Sequence, residues 1–271
     1  MQFSESWLRS FVNPSIGADE LAHLLTMSGL EVEHCEPVAP PFSGVVVGEI
    51  LSVSRHPNAD RLSLCKVNVG ASAPLNIVCG APNVVAGMKV PCARIGAQLP
   101  GETADKPFVI KAAKMRGEES QGMLCSAREL GLSQDHSGLL VLDSSATPGD
   151  DVRKLLELDE HVYILKLTPN RADCLSLLGV AREVAALTGA SLLQPEVVPV
   201  PATSDSRLPM AFMDAAGCGR FTGRVMRGVN AAAPTPEWMK RRLERAGQRS
   251  ISALVDVTNY VMLELGRPLH V

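Results

Sequence analysis

The chain has 271 residues, of which 46% are hydrophobic and 20% are charged. This composition is typical of a folded globular protein and excludes an intrinsically disordered chain. The formal net charge of −3 excludes RNA binding through the overall field of the molecule, so any contact with nucleic acid must be local.

The N-terminus and the cysteines predict the compartment. The first residues, MQFSESWLRSFV, contain no basic region followed by a long apolar run, and no window of the sequence is apolar over the thickness of a bilayer. We therefore expect a cytoplasmic protein with no membrane partner. The seven cysteines form no CxxC pair, which predicts reduced thiols and no metal site in this chain.

Residues 1–37 read as a small helix-and-strand segment. A short amphipathic run ends at Pro14, and a helix is predicted to begin at about Ala18 and to end before Gly29. Residues 30–35 then alternate like a strand. The predicted core face of the helix consists of Leu21, Leu24, Leu25 and Met27.

The next hundred residues have the pattern of a small all-β unit. Gly, Pro, Asn and Asp clusters separate four short β-rich runs, which favours a five-stranded OB-type barrel. HPNADR reads as a tight turn in which Asn58 and Asp60 can bond their own backbone, and His56 is expected to be a loop histidine satisfied by a neighbour. The four runs are residues 45–53, 62–69, 75–79 and 90–95.

Within this unit, three basic side chains follow a strand and are candidates for contact with phosphates: Lys111, Lys114 and Arg116. A solvated face explains them equally well, because Glu118 and Glu119 come next. The only aromatic residues between positions 41 and 151 are Phe42 and Phe108, so base stacking is not expected. Any RNA binding here should be weak and should use backbone contacts.

Residues 151–193 return to a helical pattern. A helix is predicted at residues 151–158, a strand at 161–167, and a second helix capped by Asp173 and ended by Gly189. The apolar stripe of this second helix is Leu177, Val180, Val184 and Leu187. Residues 194–209 are rich in proline and lack periodicity, which indicates a linker at a domain boundary.

The last segment carries the most basic stretch of the chain. Residues 219–229 resemble a strand, and Thr235 with Pro236 is expected to open a helix that ends near Gly247. Its basic residues are a second set of RNA-binding candidates, although a solvated helix face explains them equally well. These candidates are Lys240, Arg241, Arg242 and Arg245.

Residues 251–265 then show helical spacing of Leu254, Val257, Val261 and Leu265, with strand as the alternative because many residues are β-branched. Thr258 and Asn259 interrupt this apolar run, and His270 follows it. By physics alone, a structural role for this polar pair is more common than a functional one.

Several motifs carry a resemblance that spans essentially the whole chain. HPNADRL, IVCGAPNV, GAQLPG and RGEESQGMLCS resemble the tRNA-binding OB domain of several synthetases. FSESWLRSFVNP, TPNRADCLSLLGVAREVAALTG, TPEWMKRRL and VDVTNYVMLELGRPLH are similar to segments of the bacterial phenylalanyl-tRNA synthetase β subunit. The chain is therefore identified as resembling the N-terminal part of that family.

The resemblance implies an α+β multidomain fold. An OB-fold barrel at residues 39–150 would be inserted in a small discontinuous domain formed by residues 1–38 and 151–193. After the linker at 194–209, residues 210–271 would begin the α+β editing domain. The sequence stops at His270 and Val271 where the family continues, so the resemblance implies that the rest of the editing pocket lies elsewhere.

The resemblance also implies the function and the partners. The family is a ligase that attaches phenylalanine to tRNA-Phe with ATP and Mg²⁺, which the whole enzyme binds and this chain alone does not. Its α subunit would pair with this subunit in an α2β2 assembly. Thr258, Asn259 and His270 match positions that line the family's editing pocket, and this fragment alone is expected to be inactive. The alternative is a stand-alone tRNA-binding or RNA-chaperone module without catalysis, which the matched flanks disfavour.

Overall fold

The computed structural model describes residues 1–103 and 106–271. The chain forms two compact units: Met1–Cys35 with Val162–Val271, and Glu36–His161. Both units contain helices and strands, and the neighbouring strands with a defined register are antiparallel.

The first unit contains a three-stranded sheet with helices. The strand order is β1 (Gln2–Ser4), β11 (His161–Lys166) and β2 (Glu31–Pro37). The helices are α1 (Glu5–Arg9), α2 (Ala18–Met27), α4 (Leu177–Thr188), α5 (Glu237–Arg245) and α6 (Ala253–Leu265), and a 3-10 turn spans Pro169–Cys174.

A single apolar core holds the first unit together. It joins residues from the first thirty positions with residues from 163 onward, so neither segment buries its apolar surface alone. Its fully buried members include Phe3, Trp7, Leu25, Tyr163, Leu177, Val180 and Val184.

Local sequence explains how α4 is placed. Ser176 Oγ accepts a hydrogen bond from the Gly179 amide at 3.0 Å and so caps the helix. A Cβ at Gly179 would lie 1.9 Å from the Asp173 carbonyl oxygen, so only glycine permits this close approach of the preceding turn. Gly189 ends the helix at φ 73°, as the sequence predicted. Asp173 is not the cap, because the chain remains in a 3-10 turn until Cys174.

The second unit is a mainly antiparallel β unit. Its main sheet has the order β10 (Gly122–Leu124), β6 (Lys89–Thr103), β3 (Ser43–His56), β4 (Ala59–Asn68) and β5 (Leu75–Cys79), and β7 (Lys106–Val109) pairs with β6. A separate hairpin joins β8 (Ala113–Met115) to β9 (Glu118–Ser120), and α3 spans Val152–Leu155. The four predicted strand runs are confirmed, with longer bounds for three of them.

The main sheet does not close on itself through a continuous ladder within the described residues. Its two ends are nevertheless linked, because the Gln121 amide donates to the Asn76 carbonyl at 2.8 Å and Ser120 Oγ accepts from the Val78 amide at 3.1 Å. Two apolar clusters fill the unit.

Some local predictions are wrong. The helix predicted at residues 151–158 is a single turn, and residues 219–229 form no strand. A strand needs a hydrogen-bonding partner, and no strand lies beside this segment in the described part of the chain, where Phe221 and Met226 are 60% and 74% exposed. Met27 and Leu187 were assigned to apolar faces, but they lie toward solvent at 72% and 40% exposure.

Candidate functional site

Two of the three RNA-binding candidates in the second unit lie on the β8–β9 hairpin. Lys114 lies on β8, Arg116 occupies the turn at φ 49°, and Lys111 precedes the hairpin. All three side chains are exposed. They enter no ion pair in the part of the chain that the structure describes, so each is available to an anionic ligand.

The turn between β3 and β4 is tied to this hairpin by His56. The histidine is 5% exposed, its Nε2 lies 3.1 Å from the Met115 carbonyl oxygen, and its Nδ1 accepts from the Asn58 amide at 3.1 Å. His56 is therefore satisfied by neighbours, as predicted. Asn58 was expected to bond its own backbone, but its side-chain amide donates to the Arg116 carbonyl at 3.2 Å.

The second set of RNA candidates lies on α5 in the first unit and has internal partners. Lys240 pairs with Glu237 at 2.7 Å. The Arg242 guanidinium donates to the Tyr260 hydroxyl at 2.7 Å and lies 5.5 Å from the ring centroid of Trp7. Arg241 and Arg245 are each half-buried. This helix is therefore only partly the solvated basic face that the sequence suggested.

An aromatic cluster surrounds Arg242. The Trp7 and Tyr260 rings stack at 4.8 Å, and the Trp238 edge meets Tyr260 at 5.4 Å. Glu264 accepts hydrogen bonds from Trp7 Nε1 at 3.1 Å and from the Tyr260 hydroxyl at 2.9 Å. Burial raises the pKa of Tyr260. Helical periodicity does not indicate this cluster, because its members come from α1, α5 and α6.

Sequence patterns also do not predict the hydrogen bonds around a carboxylate near the start of α6. Asp256 is fully buried and accepts hydrogen bonds from Thr235 Oγ1 at 2.5 Å, Ser250 Oγ at 2.6 Å and the Ile251 amide at 2.9 Å. Burial opposes ionisation of Asp256, but these hydrogen bonds outweigh it and lower its pKa. Thr235 was predicted to cap α5, and this bond to Asp256 replaces the cap.

The three editing candidates lie on α6 and just after it. The Thr258 hydroxyl donates to the Val255 carbonyl of its own helix at 2.7 Å, and Asn259 is half-buried beside it. His270 is exposed in the coil beyond Gly266, which ends α6 at φ 73°. Among the described residues, no hydrogen bond joins His270 to the other two.

The predicted apolar stripe of α6 is largely exposed. Leu254, Val257 and Leu265 are 42%, 47% and 39% exposed. The helix itself is confirmed, but its buried contacts come from Asp256, Tyr260 and Leu263. The helical spacing of the apolar residues alone could not show which face of α6 packs against the core.

Arg171 and Asp173 form a turn before α4. Arg171 Nε lies 3.3 Å from Asp173 Oδ1, and its Nη2 lies 2.9 Å from Glu183 Oε2. These contacts tie the turn to the body of α4, and the hydrogen bond from Arg171 lowers the pKa of Asp173. This geometry gives the pair a structural role at the start of α4.

In the part of the chain with defined positions, no group of three or more His, Cys, Asp or Glu side chains is placed to hold a metal ion. Within those same limits, no helix combines the length and the apolar content that crossing a membrane requires.

Two family models match the chain in order. The tRNA binding domain model matches residues 45–151, which lie in the second unit and contain the β3–β4 and β8–β9 hairpins. The B3/4 domain model matches residues 217–271, which contain α5 and α6.

Relatives match the chain from end to end. It is 66% identical over 271 residues to the phenylalanine-tRNA ligase beta subunit of Bordetella bronchiseptica, covering 100% of this chain and 33% of the relative. The beta subunit of Ralstonia nicotianae is 61% identical over 271 residues, covering 100% and 34%.

A solved structure, the C-terminal domain of Plasmodium vivax p43, is 23% identical over 41% of this chain and 63% of that chain, with a TM-score of 0.29, too low to support an argument. The chain spans about a third of the length of the curated relatives it matches. On the sequence identity and the two domain matches together, the chain belongs to the phenylalanine-tRNA ligase beta subunit family, and it corresponds to the N-terminal portion of that subunit.

Proposed function

We propose that this chain contributes tRNA binding and part of an editing domain to the ATP-dependent attachment of phenylalanine to tRNA-Phe. The observation that carries the proposal is the identity of 66% along all 271 residues to a beta subunit of that ligase. The order of the two domain matches agrees with it.

The tRNA-binding part is proposed to be an OB-type unit at residues 39–150. Its support is the five-strand order of the main sheet and the hydrogen bonds that link the two ends of that sheet at Asn76 and Val78. Acidic and basic residues in this part of the sequence nearly cancel. We therefore expect weak tRNA binding through a few phosphate contacts.

The editing part is proposed to begin at residue 210. A pocket shaped for phenylalanine rejects a ring with one extra hydroxyl only modestly, so a second hydrolytic site is needed for accuracy. Thr258, Asn259 and His270 are proposed to hold mischarged tyrosine and to orient a water molecule against the ester carbonyl. Hydrolysis of an activated ester needs little beyond such orientation and hydrogen-bond donors.

The remaining domain and partner assignments are proposals on the same basis. Residues 1–38 with 151–193 are assigned to one discontinuous domain, and residues 194–209 to a linker without helix or strand. An α subunit is the proposed partner in an α2β2 assembly in the cytoplasm. ATP and Mg²⁺ are proposed for the whole enzyme.

A chimeric enzyme tests the proposal. This chain would replace the matching third of the Bordetella bronchiseptica beta subunit, coexpressed with that organism's α subunit. We expect the assembly to form Phe-tRNA-Phe in an ATP-dependent reaction and to hydrolyse Tyr-tRNA-Phe. The unaltered Bordetella enzyme is the matched control. An assembled chimera that fails in both reactions, beside an active control, would refute the proposal.

A further inference from the structure

His56 makes two separate turns into one structural unit. Its Nδ1 accepts from the Asn58 amide, so the proton is on Nε2, which donates to the Met115 carbonyl at 3.1 Å. The Asn58 side chain adds a second link to the Arg116 carbonyl at 3.2 Å. The β3–β4 turn is thereby fixed against the β8–β9 turn.

Both turns carry exposed cations. Arg55 and Arg61 flank the first turn, and Lys114 and Arg116 lie on the second. None of the four enters an ion pair in the described ranges. The link through His56 therefore joins two turns, each with two cations, that are 59 positions apart in sequence.

The first pair of arginines lies at the irregular end of its ribbon, next to the turn. Arg55 pairs with Ser63, His56 pairs with Ala59, and the register shifts between these two pairs, so that Arg61 lies in the stretch of β4 between them. Asp60 lies in the same stretch and is also exposed. On the second turn, Lys114 is opposite Glu119, which limits the strength of the site.

We propose that the two linked turns form one composite contact for an RNA phosphate backbone, with Arg55, Arg61, Lys114 and Arg116 as its cations and His56 as the positioning residue. The proposal rests on the proposed function and names where the tRNA-binding unit makes contact. Phosphate is the favoured partner because the turns carry no aromatic side chain on which a base could stack.

The first experiment measures binding of the intact 271-residue chain to a tRNA-Phe transcript between 50 and 200 mM salt. The variants are Arg55→Gln with Arg61→Gln, and Lys114→Gln with Arg116→Gln. We expect each cation removed to weaken binding by about five- to tenfold at 0.1 M salt and to reduce the salt slope by about one.

Lys66→Gln is the matched control. This lysine is exposed on β4, five residues from Arg61, which is about 17 Å along the strand. We expect its loss to change the affinity less than about twofold, because a single charge outside the composite contact adds little beyond the general field.

The second experiment tests the positioning role. His56→Ala should lower the salt slope of the folded protein by about two, since one turn would no longer be held in place, whereas a purely structural loss would change only the folded fraction. His56→Gln retains a donor for the Met115 carbonyl and should restore part of the slope. If His56→Ala does not fold, Asn58→Ala carries this test, because it removes only the link to Arg116.

Binding by the wild-type chain tests the proposed tRNA-binding role, and binding by the turn variants tests the composite contact. Failure of the wild-type chain to bind tRNA would refute both the proposed tRNA-binding role and this contact. If the wild-type chain binds tRNA and the turn variants bind it as tightly as Lys66→Gln does, only the composite contact would be refuted. Binding of the same turn variants to the α subunit would also be measured. Turn variants that bind the α subunit more weakly but bind tRNA as tightly as the wild-type chain would overturn the proposal in favour of a protein partner.

Discussion

The guanidinium of Arg242 donates a hydrogen bond to the hydroxyl oxygen of Tyr260 at 2.7 Å, and this bond connects α5 to α6. Tyr260 in turn donates to Glu264 at 2.9 Å and stacks on Trp7 at 4.8 Å. A side chain that the sequence suggested for RNA contact is therefore part of the packing between helices. Its position between charged and aromatic neighbours favours a structural contribution.

Replacement of Arg242 by alanine should destabilise the chain by about 1–2 kcal/mol, because it removes a hydrogen bond and the cation over the Trp7 ring. Urea unfolding followed by Trp fluorescence measures the change. Arg249→Ala is the control, since Arg249 is exposed and its loss should cost less than about 0.5 kcal/mol. Equal effects of the two substitutions would contradict the packing role.

Periodicity and end signals predicted much of the secondary structure. Helices α2, α4 and α6 were expected from apolar spacing and closing glycines, and β3 to β6 from alternating runs between turn residues. The caps were less predictable. Asp173 and Thr235 have the residue types that favour N-caps, but Asp173 pairs with Arg171 within its own turn, and Thr235 donates a hydrogen bond to the distant Asp256.

The corrected cap of α4 gives a second test. Ser176→Ala removes the acceptor for the Gly179 amide and should cost about 1 kcal/mol of unfolding free energy. Asp173→Ala should cost less, because that side chain is exposed and does not cap the helix. Thermal and urea unfolding of the two variants would be compared with wild type. A larger loss for Asp173→Ala would show that the cap has been misassigned.

The candidate sites were less predictable than the fold, for a physical reason. Sequence patterns show which residues share a helix face or a strand, but contacts between distant elements follow from tertiary packing. The link between His56 and Met115 spans 59 positions. The stack of Trp7 on Tyr260 joins the two ends of the chain, and neither contact has a local signal.

Asp256 should make the free energy of unfolding depend on pH in the acidic range. Its folded pKa lies below the unfolded value of about 3.9, so its contribution is present above that pH and is lost as the pH falls through the folded pKa. Asp256→Asn should therefore be less stable than wild type at pH 6, by about 2 kcal/mol for a buried charged acceptor.

The difference between the two proteins should shrink as the pH falls from 5 toward 3. Urea unfolding at several pH values measures it. Glu196→Gln is a control for the loss of one acidic side chain, because Glu196 is exposed in the linker at residues 194–209. A difference that stays constant with pH would show that Asp256 is not ionised in the folded chain.

The thiols should differ in reactivity. Cys218 is exposed and should be alkylated first. A hydrogen bond from the Cys65 thiol lowers the pKa of Cys79, whereas burial raises the pKa of Cys92 to about 12. We expect Cys79 to react before Cys92 at pH 7.5, because the thiolate is the nucleophile.

Mass spectrometry after timed treatment with iodoacetamide would give the order. Cys65→Ala removes the donor and should slow the alkylation of Cys79. Faster reaction of Cys79 in that variant would indicate that access, rather than the hydrogen bond, limits its rate.

Thr258 and His270 are two of the proposed editing residues. The Thr258 hydroxyl donates a hydrogen bond within its own helix, and His270 is exposed, so neither side chain is buried in the core. In the chimeric enzyme described above, His270→Ala should leave formation of Phe-tRNA-Phe intact and should slow release of mischarged tyrosine by about ten- to a thousandfold. Loss of one orienting or proton-transferring group commonly has an effect of that size. Arg267→Ala is a matched control in the same exposed coil, and it should hydrolyse Tyr-tRNA-Phe at the unaltered rate. Unchanged deacylation by His270→Ala, measured beside the unaltered chimera, would exclude His270 from the editing reaction.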